Sequence, residues 1–408
     1  MREHIITGLD LGSSCIRCAV GKVVAKDQPL QIVGLAEVPS EGVFKGVVTS
    51  IEDTVASVTS CFEKVARMVG APVTHAFLGI SAPSIIAQLS KGVVAVSRAD
   101  KEIHEDDVSR VIEAAQAVAS PPNYEILHIL PRSFTIDAAA GIKDPVGMTG
   151  VRLEVEALIL QGISSQINTF SRVIHRTGIE IDDMVLGSLA CAEAVLTRRQ
   201  RELGVALVNI GASTLSLLIF QDGDLVHAKI FPLGAGHITS DIAIGLRIPL
   251  DLAERIKVDY GVACADTVKG REEISFQDIS LEEGSFSRKY LAEIIEARCE
   301  EMCSFIDTEF KKTSAASLLP FGVVVTGGGA KLPGIIELCK RQLRLPASLG
   351  LPNDMSSGID RVQDPVFTTA LGLVSWGKEM AGSGSKKKGM GLGSLDGVFK
   401  RMFKSLMP

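Results

Sequence analysis

Asp10-Leu11-Gly12-Ser13-Ser14, Asn209-Ile210-Gly211-Ala212-Ser213-Thr214 and Thr326-Gly327-Gly328-Gly329-Ala330-Lys331 are three glycine-rich turns whose placement decides the fold. Each follows an apolar, β-branched run, so each sits at the end of a buried strand. Glycine at such a place lets backbone N–H groups approach a phosphate closely, and Ser or Thr hydroxyls add donors. A single turn of this kind is weak evidence, and three ordinary strand-to-helix turns are the competing reading. Two of the three, however, share the form (Asp/Asn)-x-Gly-x-(Ser/Thr) and lie about two hundred residues apart. That spacing predicts two similar half-domains closing on one nucleotide.

On these residues the chain resembles the actin superfamily of ATPases, which pairs two phosphate hairpins with a later Gly-Gly-Gly turn under the adenosine. Ala253-Glu254-Arg255-Ile256-Lys257 looks like the superfamily's helix whose Glu and Lys reach the ribose and adenine. Within the superfamily the chain is most similar to the FtsA family of bacterial cell-division proteins. The segments carrying that likeness are Gly141-Ile142-Lys143-Asp144-Pro145-Val146-Gly147-Met148, Gly150-Val151-Arg152-Leu153-Glu154, Thr239-Ser240-Asp241-Ile242-Ala243 and a basic amphipathic C-terminus. The resemblance implies an α/β, actin-like two-lobed ATPase fold with the relocated insertion subdomain of the FtsA type and a C-terminal amphipathic helix. It implies ATP and Mg²⁺ as cofactors, with Asp10 and Asn209 holding waters around the metal. Gly12, Ser13 and Ser14 and then Gly211, Ala212, Ser213 and Thr214 would cradle phosphates. Gly327, Gly328, Gly329 and Lys331 would lie by the adenosine, Glu254 and Lys257 would reach its ribose and adenine, and Gly236 would let the chain pass close to the nucleotide.

At 408 residues the chain is long enough for two domains with sizeable cores. No apolar run approaches the roughly 18 residues of a membrane span, and the chain enters its first strand at once, leaving no room for a signal peptide; a cytosolic protein is expected. The eight cysteines form no evenly spaced framework. Cys15 and Cys18 make a C-x-x-C, but positions three apart on a strand point to opposite faces, which argues against a metal or redox pair. From Ala381 onward six basic residues face one acid, a net +5, so the rest of the chain carries −11 of the total −6. An acidic body argues against a nucleic-acid-binding face, and a basic tail on it points to an anionic lipid surface.

The pattern of apolar periods and breakers divides the chain. Residues 1–82 and 163–200 read as the core of the first lobe, 83–162 as an inserted α+β subdomain, 201–253 and 320–378 as the core of the second lobe, and 254–319 as that lobe's own insertion. Residues 379–393 are Gly/Ser/Lys-rich and read as a flexible linker of roughly 20 Å reach. Residues 394–408 read as a membrane-targeting helix: at 100° per residue Leu395, Val398, Phe399, Met402, Phe403 and Leu406 fall on one arc, with Lys400, Arg401 and Lys404 opposite.

The second turn has Asn209 where many relatives have Asp, which weakens metal affinity more than nucleotide binding. Where family members often carry Lys, this chain has Cys15; Arg17, two positions on and on the same strand face, is assigned as the cation facing the phosphates. Hydrolysis needs a side chain that positions or deprotonates water. Leu186-Gly187-Ser188-Leu189 offers no Glu or Gln where active relatives place one, so turnover should be slow or absent. His104-Glu105-Asp106-Asp107 resembles a metal cluster, yet acids in a first helical turn are explained by the macrodipole. Arg288, Lys289 and Arg298 lie in or before one helix of the second insertion, where FtsA-like proteins receive the acidic C-terminal peptide of the tubulin-like protein FtsZ; a solvated helix face is the competing reading.

The expected function is therefore an ATP-binding scaffold at the cytoplasmic face of the cell membrane, at the division site. It would form protofilaments with itself, bind anionic lipids, tether FtsZ filaments, and meet other division proteins through residues 83–162. The rivals are a small-molecule kinase of the same superfamily, which needs a base between the lobes and has no use for an amphipathic tail, and an actin-like adaptor of a pilus or secretion machine.

Overall fold

The computed structural model describes residues 4–23, 29–119, 121–270, 272–275, 277, 284–313 and 318–382. Two sheets share one strand order. In the first lobe His4–Leu11, Cys15–Val23 and Leu30–Pro39 form an antiparallel meander, and His75–Ile80 and Glu180–Leu186 add in parallel on the other side of His4–Leu11. In the second lobe Val205–Ile210, Leu215–Gln221 and Asp224–Phe231 form the meander, with Val323–Thr326 and Ala347–Leu349 added in parallel. The duplication expected from the paired turns is thus present in the topology. Each opening strand ends in one of the two matching turns, and the third turn ends the fourth strand of the second lobe.

The near-continuous apolar character of the opening strands has a structural cause. Along Val205–Ile210 side chains alternate between two cores: Val205 and Leu207 belong to the packing shared with the first lobe, while Ala206 and Val208 join the second lobe's own core. A strand covered on both faces needs no polar alternation. Helix Gly187–Val195 fills the space between the sheets and has nearly all its residues buried. It stops at Leu196, which is extended, and Thr197 caps a new helix, Arg198–Leu203, by a reciprocal bond with Gln200. The helical stretch leading into the second lobe is therefore two helices.

The inserted subdomain has a four-stranded antiparallel sheet in the order Ile86–Ala95, Arg152–Ile163, Tyr124–Ile136, Ala139–Ile142, with helix Glu105–Ala119 on one face. Its core is separate, built on Val111, Ile112, Ala115, Phe134, Leu153 and Ile159. One boundary differs from the sequence reading. Met355–Ser357 pairs in parallel with Leu30–Ile32 at the edge of the first sheet, and helix Thr368–Gly382 packs on His4–Leu11 and on Gly187–Val195. Residues 355–378 thus return to the first lobe rather than completing the second. The apolar residues of the closing helix, Leu371, Leu373 and Val374, are fully buried there, and a periodic apolar helix does not announce which sheet it covers.

Candidate functional site

The three turns converge on one cleft between the lobes. The first lobe supplies Asp10, Gly12, Ser13, Ser14 and Arg17; the second supplies Asn209, Gly211, Ala212, Ser213, Thr214, Gly327 and Gly328. The two hairpins present equivalent positions: Asp10 stands opposite Arg17 in the first register and Asn209 opposite Ser216 in the second. Asp10 is half-buried at this junction, and desolvation raises its carboxyl from 3.8 to about 6 against the opposing field of Arg17. Asn209 Nδ2 donates to Thr369 Oγ1 at 3.4 Å. Its amide oxygen lies against Gly327, whose φ of 85° and lack of a Cβ permit that approach: a Cβ would sit 2.2 Å away.

Other lining residues come from places the sequence reading did not single out: Gly46, Ser81, Ser216, Val366, Thr368 and Thr369. Ser81 follows the fourth strand of the first lobe as Gly327 follows the fourth strand of the second, so the C-terminal end of a parallel strand was the available signal. The cleft walls thus present hydroxyls, an amide and backbone N–H groups around a single carboxylate among the lining residues, Asp10. That donor set suits a polyanion, and a desolvated carboxylate beside it suits a divalent cation reached directly or through water.

Five expected residues stand outside the lining. Gly236 packs beside the second turn, its N–H donating to the Ala212 carbonyl at 2.7 Å. Gly329 is buried against Ile210. Lys257 and Glu254 pair with each other at 2.6 Å, and Lys257 also donates to Thr239 Oγ1 at 2.8 Å and to the Ala235 carbonyl at 3.3 Å. Lys331 pairs with Asp364 at 2.9 Å. Arg17 lines the cleft, but its Nε donates to Glu37 at 2.9 Å, so much of its charge is already compensated. Ser188 is 1 % exposed, its hydroxyl has no partner, and it is not a lining residue. In the acidic run after His104, Asp107 accepts from the His104 N–H at 3.0 Å and from Arg110 at 2.5 Å, a helix cap rather than a ligand group.

The three basic residues of the second insertion do not make one patch. Helix Arg288–Thr313 places Lys289 and Arg298 about two and a half turns apart, on opposite sides. Arg298 is engaged with both carboxylate oxygens of Asp241, at 2.5 and 2.8 Å, and with Glu301. Arg288 is held by Glu272 at 2.6 Å and the Tyr260 carbonyl at 3.4 Å. Lys289 is exposed and, among the described residues, unpaired. Leu395, Val398, Phe399, Lys400, Arg401, Met402, Phe403, Lys404 and Leu406, with the expected C-terminal helix, lie outside the described residues. No helix among the described residues is long and apolar enough to cross a membrane.

Two lobes of one topology on either side of a donor-rich cleft define an actin-like fold. The solved structures agree on the fold: the PilM-PilN type IV pilus biogenesis complex matches with a TM-score of 0.68 at 15 % identity, covering 92 % of this chain and 98 % of that one. MreB5 of Spiroplasma citri bound to ADP matches with a TM-score of 0.53 at 13 % identity, covering 90 % and 94 %. The family model for cell division protein FtsA matches residues 206–372, and that for the SHS2 domain inserted in FtsA matches residues 83–161. Cell division protein FtsA of Pseudomonas aeruginosa is 36 % identical over 381 residues, 93 % of this chain and 91 % of its own length. The chain belongs to the FtsA family of cell-division proteins.

Proposed function

We propose that this protein is an ATP-binding, actin-like division scaffold that polymerises on the cytoplasmic face of the membrane at the division site and tethers FtsZ filaments there. The observation that carries the nucleotide part is the convergence of both phosphate-type turns on one cleft around Asp10. ATP would lie between the lobes, with Asp10 and Asn209 toward Mg²⁺ and Ser13, Ser14, Ser213 and Thr214 toward the phosphates. The metal would neutralise phosphate charge. Among the cleft-lining residues there is no Glu, Gln or His to activate water, which supports slow or absent turnover and disfavours a kinase. Nucleotide would act as a ligand favouring the closed, polymer-competent arrangement.

The FtsZ C-terminal peptide is assigned to the second-lobe insertion, where Lys289 is exposed and, among the described residues, unpaired, next in sequence to the exposed Tyr290. The inserted subdomain of residues 83–162 is the surface for other division proteins. Attachment falls to the tail. A single amphipathic helix of this length would bind anionic lipid reversibly, each basic residue adding about 1 kcal/mol near acidic headgroups, and polymerisation would make attachment multivalent. Electron microscopy on anionic lipid monolayers tests the reading: filaments should form with ATP and be lost without lipid. Phe403→Glu should release the protein from anionic liposomes in co-sedimentation while leaving ATP binding intact; full co-sedimentation of that variant would remove the tail as the anchor.

A further inference from the structure

Between the first meander and helix Ile51–Val69 stands a small hairpin, Val43–Phe44 paired with Val47–Val48, that none of the glycine-rich motifs includes. Lys45 and Gly46 form its two-residue turn with φ of 51° and 73°. Positive φ at both positions is the I′ geometry whose twist suits an antiparallel hairpin. Gly46 faces inward. Its N–H donates to Ser13 Oγ at 3.0 Å, it lines the cleft, and a Cβ there would fall 2.5 Å from the Ser81 carbonyl oxygen. The turn is therefore fitted between the first glycine-rich turn and the end of the neighbouring strand, while Phe44 projects outward, 61 % exposed.

Charge gives this hairpin its meaning. Among the described residues the cations expected at the site are each paired: Arg17 with Glu37, which also meets Arg361, Lys257 with Glu254 and Lys331 with Asp364. Lys45 is exposed, and its one described contact is with the ring of Phe44, 5.3 Å from its centroid. An ammonium on a flexible four-carbon stem, next in sequence to a residue of the cleft wall, can turn inward when a polyanion arrives. It gains most from the phosphoryl group of highest charge, which is the terminal one.

We propose that the Lys45–Gly46 turn reads the terminal phosphate of the bound nucleotide. Lys45 supplies the cation, and the Gly46 N–H becomes a phosphate donor when Ser13 Oγ turns from it toward the ligand. The swing of Lys45 away from Phe44 changes the outer face of the hairpin and so carries the state of the cleft to the surface. This rests on the nucleotide reading above.

The test is calorimetric titration of the full chain with Mg-ADP and with a Mg-bound non-hydrolysable ATP analogue. Lys45→Ala should weaken the triphosphate about tenfold while leaving the diphosphate within about twofold, and Lys45→Arg should restore most of the difference. Gly46→Ala, which forces the turn off Ser81, should erode the same preference. Lys45→Ala binding both ligands in the parental ratio would overturn the assignment. A parent chain that binds neither ligand would overturn the nucleotide reading itself, and this inference with it.

Discussion

Asp10 is a carboxylate whose ionisation is opposed by its burial. Its carboxyl ionises near 3.8 when unfolded and at about 6 in the fold, because burial at the junction of the lobes outweighs the field of Arg17. Between those values the folded chain keeps a proton that the unfolded chain has lost, so stability falls as pH rises from about 4 to about 6. Below the lower value the cost is absent; at neutral pH it reaches at most about 3 kcal/mol. Asp10→Asn should therefore melt higher than the parent at pH 7 without ligand, with a flatter dependence between pH 4 and 6, yet lose the stabilisation that Mg-ATP confers on the parent. Thermal melts across that range check both halves. The position of Asp10 was legible because an acid opening a glycine turn after a strand is a local pattern. Thr368, Thr369 and Gly46 were not, because they reach the cleft through tertiary packing of segments whose own sequences carry no shared motif.

At the scale of elements, the helix Arg288–Thr313 shows why charge alone misleads. Arg298 looked like part of a docking face, but it clamps the helix to Asp241 on helix Ala235–Leu246, and the bond to Asp241 holds its guanidinium above its ordinary range. Both partners are about a quarter exposed, so the pair should contribute about 1 to 2 kcal/mol. Arg298→Ala and Asp241→Asn should each lower the unfolding midpoint, and the double variant should cost little more than either single one. Lys289→Glu should leave the melt unchanged and weaken FtsZ-peptide binding in a salt-sensitive way. Strands and helices themselves carry local signals: helix Ile51–Val69 is opened by the Ser50 cap and ended by Gly70 at φ 74°. What period alone could not convey was destination. Met355–Ser357 and the closing helix carry ordinary apolar patterns, and the choice of the first lobe is made by long-range pairing with Leu30–Ile32 and by the surface of the buried helix Gly187–Val195.

The whole molecule is held in its two-lobed arrangement partly by the inserted subdomain. Lys143 lies in a segment that the sequence marks as family-specific, and it bonds at once to the Arg132 carbonyl at 2.9 Å and to Asp224 on the edge strand of the second lobe. This ion pair therefore ties an insertion in the first lobe to the second. Burial raises the Asp224 carboxyl above its ordinary value and Lys143 opposes the shift, so the lysine is what makes an ionised Asp224 tolerable there. A ligand held by both lobes binds the arrangement in which this pair is closed, and by linkage anything that favours that arrangement favours the ligand. A partly exposed pair is worth up to about 1 kcal/mol, about a two- to fivefold change in affinity. Lys143→Ala and Asp224→Asn should each weaken Mg-ATP by about that factor although neither residue lines the cleft. If the pair is the connection, the double variant should be no weaker than the single ones, and exchanging the charges, Lys143→Asp with Asp224→Lys, should recover part of the loss. Additive effects in that cycle would mean that the two residues act separately and that the lobes are aligned by their apolar contacts alone.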